Sequence, residues 1–131
     1  MYEVHGWIVL SRSTDGELED LPGNVPSELR SLIADVNSAS VWADLRVANG
    51  EVTILISGLA NRRRKESVSI DELLLATARS LPGSWGLIYD RDDETELPPG
   101  PNAYRVRVLA RGAVEVRDDP FLSPCRPTIE D

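Results

Sequence analysis

The sequence predicts a two-layer α+β sandwich in which a mostly antiparallel sheet of about six strands packs with two helices and ends in an ordered C-terminal segment. Three observations predict it. Several short apolar runs have strand length, two stretches repeat their apolar residues at helical spacing, and together they occur in the order β-α-β-β-α-β-β-β. Two helices must cover apolar sheet surface, which a two-layer arrangement achieves.

Tyr2 to Leu10 ("YEVHGWIVL") is the first strand, rich in aromatic and β-branched residues, and it runs into the polar turn region "STDGELED". From Val25 to Ser38, Leu29, Leu32, Ile33 and Val36 recur on one helical face, with Pro26 near the start where its missing N–H costs little. "VWADLRV" and "VTILIS" flank Ala48, Asn49, Gly50 and Glu51. Asn-Gly readily supplies the positive φ angles of a two-residue hairpin turn.

Ser69 and Glu72 form a capping-box pattern, with Val68 and Leu73 spaced as a hydrophobic staple, so the second helix is expected to start there. Ile70, Leu73, Leu74, Thr77 and Leu81 mark its buried face, and Pro82 with Gly83 stops it. "SWGLIYD" is expected to be a central strand buried on both sides, with Trp85 and Tyr89 in the core. Beyond the loop "DDETELPPGPN", the strand "AYRVRVLA" alternates Tyr104, Val106 and Val108 against Arg105 and Arg107, which predicts the arginines on the exposed face. Gly112 turns the chain into "AVEVR". A ferredoxin-like core extended by this last hairpin satisfies the right-handed crossover rule.

With 131 residues and 41% hydrophobic content, residues 1–131 are expected to form a single domain. Fourteen basic against 22 acidic residues give a net charge of -8. That balance repels phosphate backbones and anionic lipids and favours basic partners, so neither nucleic acid nor a membrane is expected as a ligand. The lone Cys125 leaves no internal disulfide, Met1 to Leu10 lacks the basic start of a secretion signal, and no stretch has membrane-spanning length. A cytoplasmic protein is the expectation.

His5 and Cys125 are each the sole residue of their type, so neither a histidine pair nor a zinc site of ordinary spacing is available. No cofactor, metal or catalytic residue is expected. A Cys125/His5 dyad is formally possible, although a lone cysteine more often behaves as a small hydrophobe. Arg62 to Lys65, in "GLANRRRKES", offers four consecutive cations that serve to grip an anion or to pair with the protein's own carboxylates. The acidic run "YDRDDETE" places Asp90, Asp92, Asp93, Glu94 and Glu96 at a strand end and the following loop. Joined by Asp118 and Asp119, these residues are the candidate partner-binding surface. The run lacks the glycine and spacing of an EF-hand loop.

Five blocks carry a resemblance across nearly the whole chain: "HGWI", "GLANRR", "PGSWGLIYDRDDE", "VLARG" and "DPFLSPCRPTIED". On these the sequence resembles a family of immunity proteins of bacterial polymorphic toxin systems, the immunity protein seven family. Arg62 is a departure, since family members often carry histidine there. The resemblance implies an α+β protein, encoded beside a secreted toxin, that protects the producing cell by binding that toxin, and it implies no catalytic residues. If the cognate toxin domain is of a basic nuclease type, the acidic surface suits its cleft. The terminal "DDPFLSPCRPTIED" is expected to lay Phe121, Leu122 and Ile129 against the fold, with Glu130 and Asp131 extending the acidic face. Two other classes compete: a small-molecule sensing or regulatory module with an anion pocket near Gly58 and Arg62 to Lys65, and an enzyme using Cys125.

Overall fold

The computed structural model describes residues 1–13, 21, 23–61 and 65–126, and for 65 and 66 the backbone alone. Eight elements follow in the expected order: β1 (Tyr2–Leu10), α1 (Ser27–Val36), β2 (Val41–Ala48), β3 (Glu51–Ala60), α2 (Lys65–Ser80), β4 (Trp85–Asp92), β5 (Arg105–Ala110) and β6 (Ala113–Asp118). They form one six-stranded antiparallel sheet of order β2-β3-β1-β4-β5-β6. The first four strands have the ferredoxin-like order, and the β5–β6 hairpin extends the sheet beyond β4.

Both hairpin turns rest on the backbone chemistry read from the sequence. Asn49 and Gly50 join β2 to β3 with φ of 52 and 78°, and Arg111 and Gly112 join β5 to β6 with φ of 53 and 73°. After α1, the Asn37 side-chain oxygen accepts from the Ala43 N–H and the Ser38 hydroxyl from the Val41 N–H, which turns the chain directly into β2.

The helices cover one face of the sheet. Val4, Ile8 and Leu10 of β1, Ile54 and Ile56 of β3 and Ile88 of β4 point toward them and meet Leu29, Ile33 and Val36 of α1 and Ile70, Leu73 and Leu74 of α2. Burying apolar area of this kind contributes about 25 cal/mol per Å² removed from water.

Four expectations need correction. Strand β4 is central, but on its face away from the helices Leu87 and Tyr89 are only half-buried and Trp85 is 47% exposed, while Arg91 near its end is buried against Glu3 and the Pro101 carbonyl. Helix α2 is already formed at Lys65, a turn before the capping box. Ser67, Ser69 and Ile70 are drawn into the interior, where Ser67 hydrogen-bonds to Tyr2, while Val68 points outward and makes no staple with the buried Leu73. In β5 the parity is inverted: Arg107 is buried under the helix layer and Val106 and Val108 take the opposite face.

The fourth concerns the C-terminal segment, which is held by polar bonds. Asp119 accepts from the Phe121 and Leu122 N–H groups and from the Ser123 hydroxyl, and Asn102 exchanges hydrogen bonds with Cys125 and Arg126. Phe121 is 81% exposed and Leu122 is exposed as well, so neither docks on the fold. Ile129, Glu130, Asp131, the three arginines Arg62, Arg63 and Arg64, the Lys65 side chain and Thr14 to Asp20 of the polar turn lie outside what is described.

Gly86 marks the tightest approach between central strands, since a Cβ there would meet the Trp7 carbonyl oxygen and the Ile8 Cα. Gly86→Ala is expected to lower the unfolding free energy by about 1–3 kcal/mol, as overpacking does. An unchanged urea midpoint would contradict this packing.

Candidate functional site

Two surfaces carry the candidates: the end of the sheet bearing the acidic run, and the sheet face opposite the helices. Asp90 belongs to neither. It points into the helix-facing layer, is only 3% exposed, and accepts from the Tyr2 hydroxyl (2.7 Å), from Arg105 through Nε (2.9 Å) and Nη2 (2.6 Å), and from Arg107 Nη2 (3.1 Å). Arg107 also pairs with Asp71 of α2. Burial pushes the Tyr2 phenol far above its ordinary value, and the bond to Asp90 raises Arg105. Asp90 therefore holds β1, β4 and β5 together and is not presented on the surface. Asp119 is also buried and caps the turn after β6.

The remaining carboxylates gather at one end of the sheet. Asp92 ends β4 half-buried and accepts from the Glu94 N–H (3.0 Å). Asp93, Glu94 and Glu96 are exposed. Asp93 takes the Met1 ammonium at 2.5 Å, which holds its carboxyl below the ordinary value. Asp118 ends β6 opposite Arg105, at the same end of the sheet, and is exposed. The structure thus brings Asp92, Asp93, Glu94, Glu96 and Asp118 to one edge.

Behind this edge Glu3 organises the open face. Its carboxylate is contacted by His5 (2.8 Å), Tyr104 Oη (3.0 Å) and Arg91 (3.3 Å), while His5 also meets Ser57 (2.8 Å). Burial works to raise the Glu3 carboxyl, but these hydrogen bonds outweigh it and the group titrates below its ordinary value. Burial and the bond to Glu3 raise Tyr104, whose ring meets Tyr89 edge-on at 6.1 Å.

Cys125 donates to the Asn102 side-chain oxygen (3.1 Å), so it and His5 are engaged with different partners and form no dyad. Two clefts, of about 90 Å³ beside Asp90 and Leu97 and about 210 Å³ between α1 and β2, fall below the roughly 300–1,000 Å³ usual for small-molecule sites. Among the described residues no group of three or more His, Cys, Asp or Glu is placed to hold a metal, and no helix is long and apolar enough to cross a membrane.

Sequence reasoning missed the open face itself. Trp7, Trp42 and Trp85, the three tryptophans of the chain, all lie on it, 41, 45 and 47% exposed. A signal was present: each sits one position away from residues of the buried face, Trp7 beside Ile8, Trp42 between Val41 and Ala43, and Trp85 beside Gly86.

The described residues thus form a ferredoxin-like sandwich with carboxylates at one end and three exposed tryptophans on the sheet face away from the helices. The family comparison is specific. The model of the family described as Immunity protein 7 matches residues 1–131, and the chain belongs to that family. A search of curated proteins returned no match, and a search of solved structures returned none either.

Truncating Asp90 would leave two arginines near a buried, uncompensated site. Asp90→Ala is expected to cost about 3–5 kcal/mol, whereas Glu96→Ala on the exposed loop should change stability by no more than about 0.5 kcal/mol. Equal urea midpoints for the two variants would refute the assignment of Asp90. Because the Glu3 carboxyl is depressed on folding, its contribution is complete above the ordinary value of 4.5 and is lost as pH falls through the folded-state value. Wild type should therefore exceed Glu3→Gln in stability at neutral pH, with the gap closing in acid. Parallel pH curves for the two proteins would contradict it.

Proposed function

We propose that this member of the immunity protein family binds the toxin domain encoded beside it and neutralises that domain by occupying its surface, in the cytoplasm of the producing cell and without chemistry of its own. The family match over the whole chain is the observation that carries the reading. The charge distribution gives it a physical mechanism. Asp92, Asp93, Glu94, Glu96 and Asp118 lie at one end of the sheet in a protein of net charge -8, with the Met1 ammonium as the cation against Asp93 and Glu94. The field of such a protein attracts a basic partner over distances beyond contact and orients it before docking. A nuclease-type toxin, whose substrate-binding cleft must be basic to hold phosphates, is the partner class this edge suits best.

The test is a titration of the protein with the toxin domain at low and high salt. Wild-type association is expected to slow steeply as salt rises. Reversing charge at Asp92, Asp93, Glu94 and Glu96 together should slow low-salt association by about tenfold or more and flatten the salt dependence. Unchanged rates would remove this edge from the encounter.

A further inference from the structure

The acidic edge accounts for attraction, and the molecule has a second surface that offers aromatic contact. We propose that the bare face of the sheet is the floor of the toxin interface, and that it takes a basic protein surface in which arginines are mixed with apolar side chains. The proposal rests on the immunity reading above.

The register fixes the layout of this floor. One row of neighbouring positions crosses all six strands: Asp44, Leu55, Trp7, Leu87, Val108 and Glu115. Its centre is apolar and both ends are carboxylates. Trp85 lies opposite Val9, diagonal to Trp7, while Trp42 stands on the edge strand β2 opposite Ser57. None of the three indoles stacks on another ring among the described residues. Each leaves close to half of its surface in water, although a tryptophan or tyrosine offers roughly 150–250 Å² for burial. Tryptophan is the residue type most enriched among those that dominate binding energy, and an apolar centre with a polar rim is the usual anatomy of an interface.

Charge chooses the occupant. Two copies of this chain meeting face to face would bring together two net charges of -8 and set carboxylate-ended rows against each other. A basic partner meets the opposite situation. Its arginines can lie on the exposed indoles, an attraction favourable for guanidinium over tryptophan, and can replace Arg46 and Arg117 as partners of Asp44 and Glu115. Those two pairs link exposed residues two apart on one strand, contribute little to the free protein, and are easily exchanged.

The chain's tryptophans all lie on the proposed floor, so labelling the wild-type protein with 5-fluorotryptophan gives fluorine resonances that report on that face alone. Adding the unlabelled, catalytically inactivated toxin domain encoded beside the gene should shift the Trp7 and Trp85 resonances. Trp7→Ala and Trp85→Ala should each weaken binding by about thirtyfold or more, with melting temperatures measured to show that the variants fold. Leu75→Ala, at an exposed apolar position of α2, should leave affinity unchanged. If wild type binds while the resonances stay still and the tryptophan variants keep their affinity, the floor is not the interface, yet the immunity reading survives. If wild type does not bind at all, the immunity reading fails and this proposal with it. Sedimentation showing a wild-type dimer that Trp7→Ala dissociates would assign the face to a second copy and overturn the proposal.

Discussion

The Asp90 carboxylate is the constraint on which the arrangement depends. It accepts four hydrogen bonds, one from Tyr2 at the start of β1 and three from Arg105 and Arg107 of β5, and Arg107 reaches on to Asp71 of α2. Ionised groups in the helix-facing layer are expensive to desolvate and are tolerated when they are paired and their hydrogen-bonding capacity is filled. In this set Asp90 is paired with both arginines and Arg107 also with Asp71, and the cluster joins three strands and a helix at one end of the core. It also dictates direction. With Arg105 registered opposite Asp90, side chains of β5 can alternate in only one way, because a slip of one residue would send both arginines to the other face.

That choice has consequences on the far side of the sheet. Once Arg105 and Arg107 are turned to the helix-facing side, Val106 and Val108 must face away from it, beside Tyr89 and Leu87 of β4. The apolar row that crosses β3, β1, β4 and β5 is therefore a product of a buried charge cluster on the opposite surface. Glu3 performs a related task there. Held by His5, Tyr104 and Arg91, it fixes the border between the aromatic floor and the acidic edge.

Much of this was legible from the sequence where local chemistry decides the outcome. The Asn49-Gly50 turn, the apolar stripe of α1, the Pro82-Gly83 stop and the element order all follow from backbone preferences and periodicity. The errors arose where a distant partner overrides a local pattern. Valine and arginine alternating in β5 look like core and solvent until Asp90 supplies buried partners for the arginines. Ser69 and Glu72 look like a helix start, yet the chain is already helical at Lys65 and Ser67 meets Tyr2 in the interior. Phe121 and Leu122 look like anchors, but the segment is positioned by Asp119 and Asn102 and leaves them in water. The candidate site suffered for the same reason. Asp90 and Asp119 are as acidic in sequence as their neighbours, and only tertiary contacts separate them from the exposed carboxylates.

The separation of the two surfaces matters for how an inhibitor of this design would work. Long-range charge governs how often two proteins meet in a useful orientation, and its influence falls within about 8 Å at physiological salt. Desolvated apolar contact governs how long they stay together, and most affinity differences between related complexes reside in that lifetime. The proposed function draws on both. In the proposed complex the exposed carboxylates of the edge serve the first need and the indoles of the floor serve the second. The two lie on adjoining surfaces whose side chains make separate contacts, so changes at the edge can alter encounter with one basic partner or another while the floor keeps its packing. The Asp90 cluster, buried between the sheet and α2, holds both surfaces in fixed relation without being spent on either.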